Sequence, residues 1–270
     1  MDDGGLWAWG AGNAAQLGLT SLEHRLQPTF VGGLEMFGTR FVFVAAGFFH
    51  SAALAADGAV WTWGRGRFGA LGHGDGEARW TPKRLEKEAF GGWSAGMVAC
   101  GDHHTMVLTT DGLLWTFGSG DHGRLGHGGT EDKLTPTLVN ARFGGAEIVM
   151  VAAGENHSLA VTADGDVFTW GCGRDGALGH NDEDDKLVPT RLDRALFRGS
   201  RVVVLAAGSA HSAAVTAEGT VFVWRLREYG QLGLVDRYNR LIPTCVMKDV
   251  FDRARVLMMA CGTVTAPLWS

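Results

Sequence analysis

Short apolar runs, separated by glycine and by aspartate-glycine pairs, set the pattern of this chain, and the pattern returns at a fixed interval. Its aromatic heads are Trp7/Trp9, Trp61/Trp63, Trp115/Phe117, Phe168/Trp170 and Phe222/Trp224, at steps of 54, 54, 53 and 54 residues. Five copies at one period mean a repeat architecture. In the second copy Phe41–Ala46 is an apolar, partly β-branched run that suits a strand buried on both faces, strand A, and Gly47 ends it. His50–Ala55 follows as strand B. Asp57-Gly58 then carries the two-residue signature of a tight hairpin turn, repeated in register by Asp111-Gly112, Asp164-Gly165 and Glu218-Gly219. Val60-Trp61-Thr62-Trp63 alternates as strand C and runs into a glycine-rich stretch, 64–74, whose glycines permit positive φ and close main-chain approach. Pro82, matched by Pro28, Pro136, Pro189 and Pro243, is expected at the beginning of an outermost strand D, because proline has no ladder donor.

Four antiparallel strands per copy, stacked so that neighbours bury each other's faces, make the blade of a β-propeller. The expected fold is therefore all-β, with about five four-stranded antiparallel blades in a single domain over 1–270 and repeats near 5–58, 59–112, 113–165, 166–219 and 220–270. The blade is longer than the roughly 40–45 residues of the WD type, and the Gly-His and Trp-Asp signature of that type is missing. Trp63-Gly64, Gly66, Gly69 and Leu71-Gly72-His73-Gly74, then a proline, with Ala46-Gly47 and His50-Ser51 ahead of them, resemble the family named after the regulator of chromosome condensation. Copies three and four keep the pattern as Phe117-Gly118-x-Gly120 and Trp170-Gly171-x-Gly173. In the first copy Ala15 replaces a glycine. In the last, Trp224-Arg225-Leu226-Arg227 replaces two, and arginine does not reach positive φ cheaply, so that loop is expected to be rebuilt.

Propellers of this family usually have seven blades, and the two ends of this chain fall on one phase of the repeat. Closure is expected from pairing of the strands at 256–269 with those at 6–31 in one shared blade, which removes an exposed sheet edge. Thr265 in place of histidine and Pro267 within strand B weaken that pairing. The alternative is a piece of a larger propeller.

Composition narrows the function. The 46% hydrophobic and 20% charged residues describe a globular chain, and the net charge of −5, with an acidic run at 182–185, gives no general attraction for nucleic acid or anionic membrane. The first five residues hold no basic region followed by an apolar run, so an intracellular place, cytoplasmic or nuclear, is expected, and no membrane span is visible. Of four cysteines, Cys100 and Cys261 occupy a small buried repeat position. Cys172 and Cys245 lie outside any C-x-x-C pair, so neither zinc nor a disulfide is expected, and no cofactor.

Histidines and tryptophans recur too regularly to converge on one ion or substrate. His50, His104, His157 and His211 open strand B, and His73, His127 and His180 sit one per loop, which assigns them to bridging neighbouring turns. His24, His103 and His122 are off the pattern. Trp63 and Trp170 are read as filling between blades. A plant ultraviolet photoreceptor with the resembled fold uses tryptophans in the A to B loop. Here those places hold Phe48-Phe49, Asp102-His103, Glu155-Asn156, Ser209-Ala210 and Thr263-Val264, so a photoreceptor is not expected.

The A to B and C to D loops of an antiparallel meander emerge together. They carry Phe48, Phe49, Arg65, Arg67, Phe68, Asp121, His122, Arg174, Asp175, Arg227, Glu228 and Tyr229, a mixture of charge and aromatics that suits a protein partner. The resemblance implies either an interaction module or a guanine nucleotide exchange factor for a Ran-type or other small GTPase. The uniform spacing leaves no room for the β-wedge with which the founding member exchanges nucleotide, and no basic tail is present. No nucleophile motif, metal-ligand spacing or phosphate loop opening a helix is found, so catalysis by the chain itself is not expected.

Overall fold

The A to B and B to C connections within a copy are too short to let their strands do anything but fold back on one another. The Gly58 amide donates to Ala55 O at 2.9 Å and Gly58 stands at φ 81, so the B to C turn is a three-residue loop with a left-handed glycine at its end, one residue longer than the two-residue turn expected. A computed structural model describes residues 4–141, 143–209, 211–225, 239–246, 254–262 and 268–269. Two compact units emerge, one from 1–120 with 131–139 and the other from 121–130 with 140–270.

The first unit holds β1 (Leu6–Gly10) paired with β2 (Arg25–Val31). Two four-stranded antiparallel meanders follow. One is β3 (Phe41–Ala46), β4 (His50–Ala55), β5 (Val60–Gly64) and β6 (Arg79–Leu85). The other is β7 (Ala95–Cys100), β8 (His104–Thr109), β9 (Leu114–Gly118) and β10 (Lys133–Leu138). The second unit repeats the meander as β11 (Ile148–Ala153), β12 (His157–Thr162), β13 (Val167–Gly171) and β14 (Lys186–Arg191). It does so again as β15 (Val202–Ala207), β16 (His211–Thr216), β17 (Val221–Arg225) and β18 (Arg240–Cys245). Its last pair is β19 (Met258–Met259) with β20 (Leu268–Trp269). In repeat terms β1 and β2 are strands C and D, and β19 and β20 are strands A and B. Among the described residues each of these pairs is a separate two-stranded sheet, and Thr265 and Pro267 lie outside the described residues.

Within a unit, strand A of one copy packs on strands A and B of the copy before it, β7 on β3 and β4, β15 on β11 and β12. The apolar interior lies between copies: Leu54, Val60, Phe90, Val98, Val107 and Phe117 form one cluster, and Leu159, Val167, Phe197, Leu205, Phe222 and Trp224 another. Phe90 and Phe197 come from short 3-10 turns after strand D and meet the strand C aromatics Trp115 and Phe222 edge-on at 6.1 and 5.3 Å.

Two expectations are corrected. Strand A of the second copy is not buried on both faces: Val42, Phe43 and Val44 are 52%, 44% and 57% exposed. Among the described residues of the first unit, the copy ahead of it contributes strands C and D and no strands A and B to pack on β3 as β3 and β4 pack on β7. The prolines do not begin strand D but sit inside it. Pro189 falls between Thr190, paired with Thr169, and Lys186, paired with Gly171, where the register shifts, and the missing donor is tolerated at that irregularity. Among the described residues no helix is long and apolar enough to cross a membrane.

Candidate functional site

The C to D loop is built by two backbone requirements. Strand C ends on a left-handed glycine, and four residues after it a 3-10 turn places a non-glycine residue in the left-handed region: Phe68 at φ 63, His122 at φ 60 and Asp175 at φ 58. The glycine after each tip lies against strand D of the next copy. A Cβ on Gly123 would stand 2.6 Å from the Leu187 Cα, and one on Gly176 would stand 2.6 Å from the Leu241 Cα. Close approach therefore latches each loop to its neighbour and aims the tip residue at that neighbour's loops.

In the first unit this gathers five of the residues selected from the sequence. Phe48 and Phe49 meet edge-on at 4.5 Å, and the Arg65 guanidinium lies 4.7 Å over the Phe49 ring. Arg67 lies 4.4 Å over Phe68, the tip residue. His103, off the histidine pattern, joins them: it stacks on Phe49 at 5.2 Å and takes Phe68 edge-on at 5.6 Å. Phe48 is 52% exposed, and Arg65 and Arg67 are exposed as well. Two guanidiniums over an aromatic floor form a cationic, partly apolar platform.

The second unit gathers a polar set. His122 Nδ1 lies 2.8 Å from Asp185 Oδ2, while Asp185 Oδ1 accepts from the Gly173 amide at 2.9 Å. Burial raises the Asp185 carboxyl, and the Gly173 amide, the His122 ring and the Cys172 thiol outweigh it, leaving it below the usual carboxylate range. Asp175 pairs with Arg225 at 3.8 Å. Arg225 takes the place that glycine holds in Gly64, Gly118 and Gly171, at φ 91, and its buried guanidinium donates to Ser209 O at 2.6 Å. Burial lowers that guanidinium, with Asp175 and Cys172 acting the other way. Asp121 and Arg174 are exposed. Arg227, Glu228 and Tyr229 lie outside the described residues, as does the remainder of that loop.

The histidines and tryptophans of the repeat tie copies together. His50 Nε2 lies 2.8 Å from Thr105 Oγ1, whose hydroxyl proton goes to Ala70 O at 2.7 Å. The imidazole must then be the donor, which implies the Nε2–H tautomer. His157, Ser212 and Ala177 O repeat the arrangement at 2.8 and 3.1 Å. The imidazole thus reaches a side-chain hydroxyl of the next copy, and that hydroxyl reaches the main chain. His104 and His211 are likewise buried. His73 and His180 instead meet strand C of their own copy, through Thr62 and Thr169 at 3.0 Å.

Asp185 and Cys172 have no site role in the sequence pattern, and His103 stands out there only as off the histidine pattern. A signal for the first exists: the loop amides of Gly12, Gly120 and Gly173 each donate to a side chain twelve residues on, His24, Asp132 and Asp185. That constant offset marks an acceptor position, although it does not show that His122 arrives there as well.

Comparisons agree with this architecture. The chain is 41% identical over 220 residues to the ultraviolet-B receptor UVR8 of Arabidopsis thaliana, covering 81% of this chain and 48% of that protein. It is 34% identical over 270 residues to the human E3 ubiquitin-protein ligase HERC2, covering 99% of this chain and 5% of the ligase. The chain therefore spans about half the length of the first relative and a small part of the second. The crystal structure of human WBSCR16 superposes with a TM-score of 0.83 at 24% identity, over 98% of this chain and 72% of that one, which supports the fold alone. The RCC1-like domain family matches residues 5–266. With its period, its strand order and its inter-copy histidine and tryptophan ties, the chain belongs to the RCC1-like domain family, as a β-propeller of RCC1-type blades.

Proposed function

We propose that this chain is a non-catalytic protein-interaction module and that its contact surface is the platform of Phe48, Phe49, Arg65, Arg67 and Phe68. The observation that carries this reading is the stacking of exposed arginines on partly exposed aromatics that are anchored from below by His103. Aromatic and arginine side chains held by a rigid sheet lose little freedom on binding, and such residues supply most of the energy of protein interfaces. Two guanidiniums favour an acidic partner surface. The A to B loops of the described copies carry no tryptophan, so the platform works by contact and not by light absorption.

A small GTPase is the partner class that the family resemblance suggests, and it sets the test. Release of a fluorescent guanine nucleotide from Ran-, Rab- and Arf-type GTPases is measured with and without the chain, in parallel with direct binding to the same panel. Binding without faster release, weakened at least roughly tenfold by Arg65→Ala with Phe48→Ala, supports the module. Faster release on one member replaces this reading with an exchange factor. Binding that the double variant leaves unchanged moves the contact surface elsewhere.

A further inference from the structure

Three metal-ligating side chains meet on one loop cluster of the second unit. Donor atoms of His122, Cys172 and Asp185 all lie within 4.8 Å of one another. The repeat explains only one of them. Asp185 accepts the Gly173 amide as Asp132 accepts that of Gly120. Cys172, in contrast, stands where earlier copies have Arg65 and Ser119, and His122 stands where neighbouring copies have Phe68 and Asp175.

The scaffold under the three is rigid. Cys172 directly follows β13 and Asp185 directly precedes β14, next to the paired residues Gly171 and Lys186. The Cys172 amide donates to Asn156 O at 2.9 Å, and Cys172 is buried. His122 is held at φ 60 by the latch at Gly123. The side chains of His122 and Asp185 are 40% and 39% exposed, so the cluster opens to solvent on one side. Arg225, a cation of the same loop cluster, is already engaged with Asp175 and Ser209 O.

We propose that His122, Cys172 and Asp185 form a zinc-binding site with a fourth position open to water. Thiolate, imidazole and carboxylate are zinc's ligands at roughly 2.0–2.3 Å, and the thiolate disfavours magnesium and calcium. Donors around a tetrahedral ion stand roughly 3.5 Å apart, so closure asks for a movement of about an ångström, which the two partly exposed side chains supply. Binding forms a zinc–sulfur bond and releases the Cys172 thiol proton to solvent. The imidazole binds in its neutral form, and its contact with Asp185 gives way to two metal bonds.

The test titrates the reduced full chain with Co2+ alone, read by absorbance, and with Zn2+ alone, read calorimetrically. One Co2+ per chain is expected, with an ultraviolet thiolate-to-cobalt charge-transfer band that Zn2+ competes away. Cys172→Ser abolishes the band. His122→Asn, whose asparagine tolerates left-handed backbone, weakens Zn2+ binding more than tenfold. Cys245→Ser leaves both unchanged. Urea midpoints measured without metal confirm that the variants fold, and Cys172→Ala replaces the serine variant if that one does not. The proposal is overturned if wild type gives no band, if the band survives loss of the Cys172 sulfur, or if it disappears with Cys245.

Discussion

Trp224 Nε1 donates to Ala177 O at 2.8 Å, across 47 residues of sequence. Trp170 does the same to Arg124 O at 2.9 Å and Trp63 to Gln16 O at 2.8 Å, so strand C of one copy is pinned to the loop of the copy before it. In each case the carbonyl has a second donor, the hydroxyl of Ser212, Ser158 or Ser51. Removing the indole N–H therefore leaves no buried acceptor without a partner. Trp224→Phe should cost about 1 kcal/mol, the net worth of one hydrogen bond, whereas Trp224→Ala should cost about 3–5 kcal/mol through the cavity. Phe117 already stands at this position in the third copy. Urea unfolding of both variants checks the ranking, and equal losses would show that the bond and not the ring volume sets the cost.

Acid should loosen the protein through the same network. Burial, with His103 nearby, pushes His50 down to about 4, and burial with Arg225, His211 and Arg124 nearby pushes His157 down to about 3, both from 6.5. Each folded-state value lies below the unfolded one, so the unfolded chain takes up protons first. The stability is fully present above pH 6.5 and is lost as pH falls from there toward about 4 for His50 and about 3 for His157. The slope is up to about 1.4 kcal/mol per pH unit for each imidazole. In His157→Gln the amide still donates to Ser212 but does not titrate. Urea unfolding at roughly pH 7, 6 and 5 should show a shallower slope for that variant, and an unchanged slope would remove His157 from the account.

Equivalent positions in strand A make a sharper comparison. Val44 is 57% exposed, while Val98, Val151 and Leu205 at the same place in later copies are 1%, 2% and 5% exposed. Val98→Ala should cost about 2 kcal/mol and Val44→Ala less than about 0.5 kcal/mol. Equal costs would mean that a further strand pair covers β3 in solution.

Much of this fold was legible because its signals are local and repeat. Asp57-Gly58, the strand B histidines and the W-G-x-G run each announce themselves within a few residues, and their return at one period in most copies raises them above chance. The strand A error at Val44 has a different origin: its hydrophobicity is that of every copy, but exposure depends on which neighbour exists. Phe90, Phe143 and Phe197 recur at the same period, but each lies in a connection with no strand pattern around it, so its packing on the strand C aromatics has no local signal. Hardest to read was the meeting of His122, Cys172 and Asp185. It depends on one left-handed residue carrying its side chain to the next copy, a placement that neither periodicity nor ligand spacing records.

The latch between copies can be separated from mere backbone preference by two glycines of the second unit. Gly176 is at φ 76 and Gly144 at φ 68, so alanine is strained at both by about 1 kcal/mol. They differ in space. A Cβ on Gly144 meets nothing within 4 Å, whereas one on Gly176 would lie 2.6 Å from the Leu241 Cα, a backbone atom that does not swing aside. Gly176→Ala must therefore push the loop off β18, and the expected loss exceeds that of Gly144→Ala by at least about 2 kcal/mol. The displaced loop also carries Ala177, whose carbonyl receives Trp224 and Ser212, so the damage spreads to those bonds. Tryptophan fluorescence during urea unfolding reports it directly. Similar losses for the two variants would show that the loops are held by their own turns and not by the neighbouring strand.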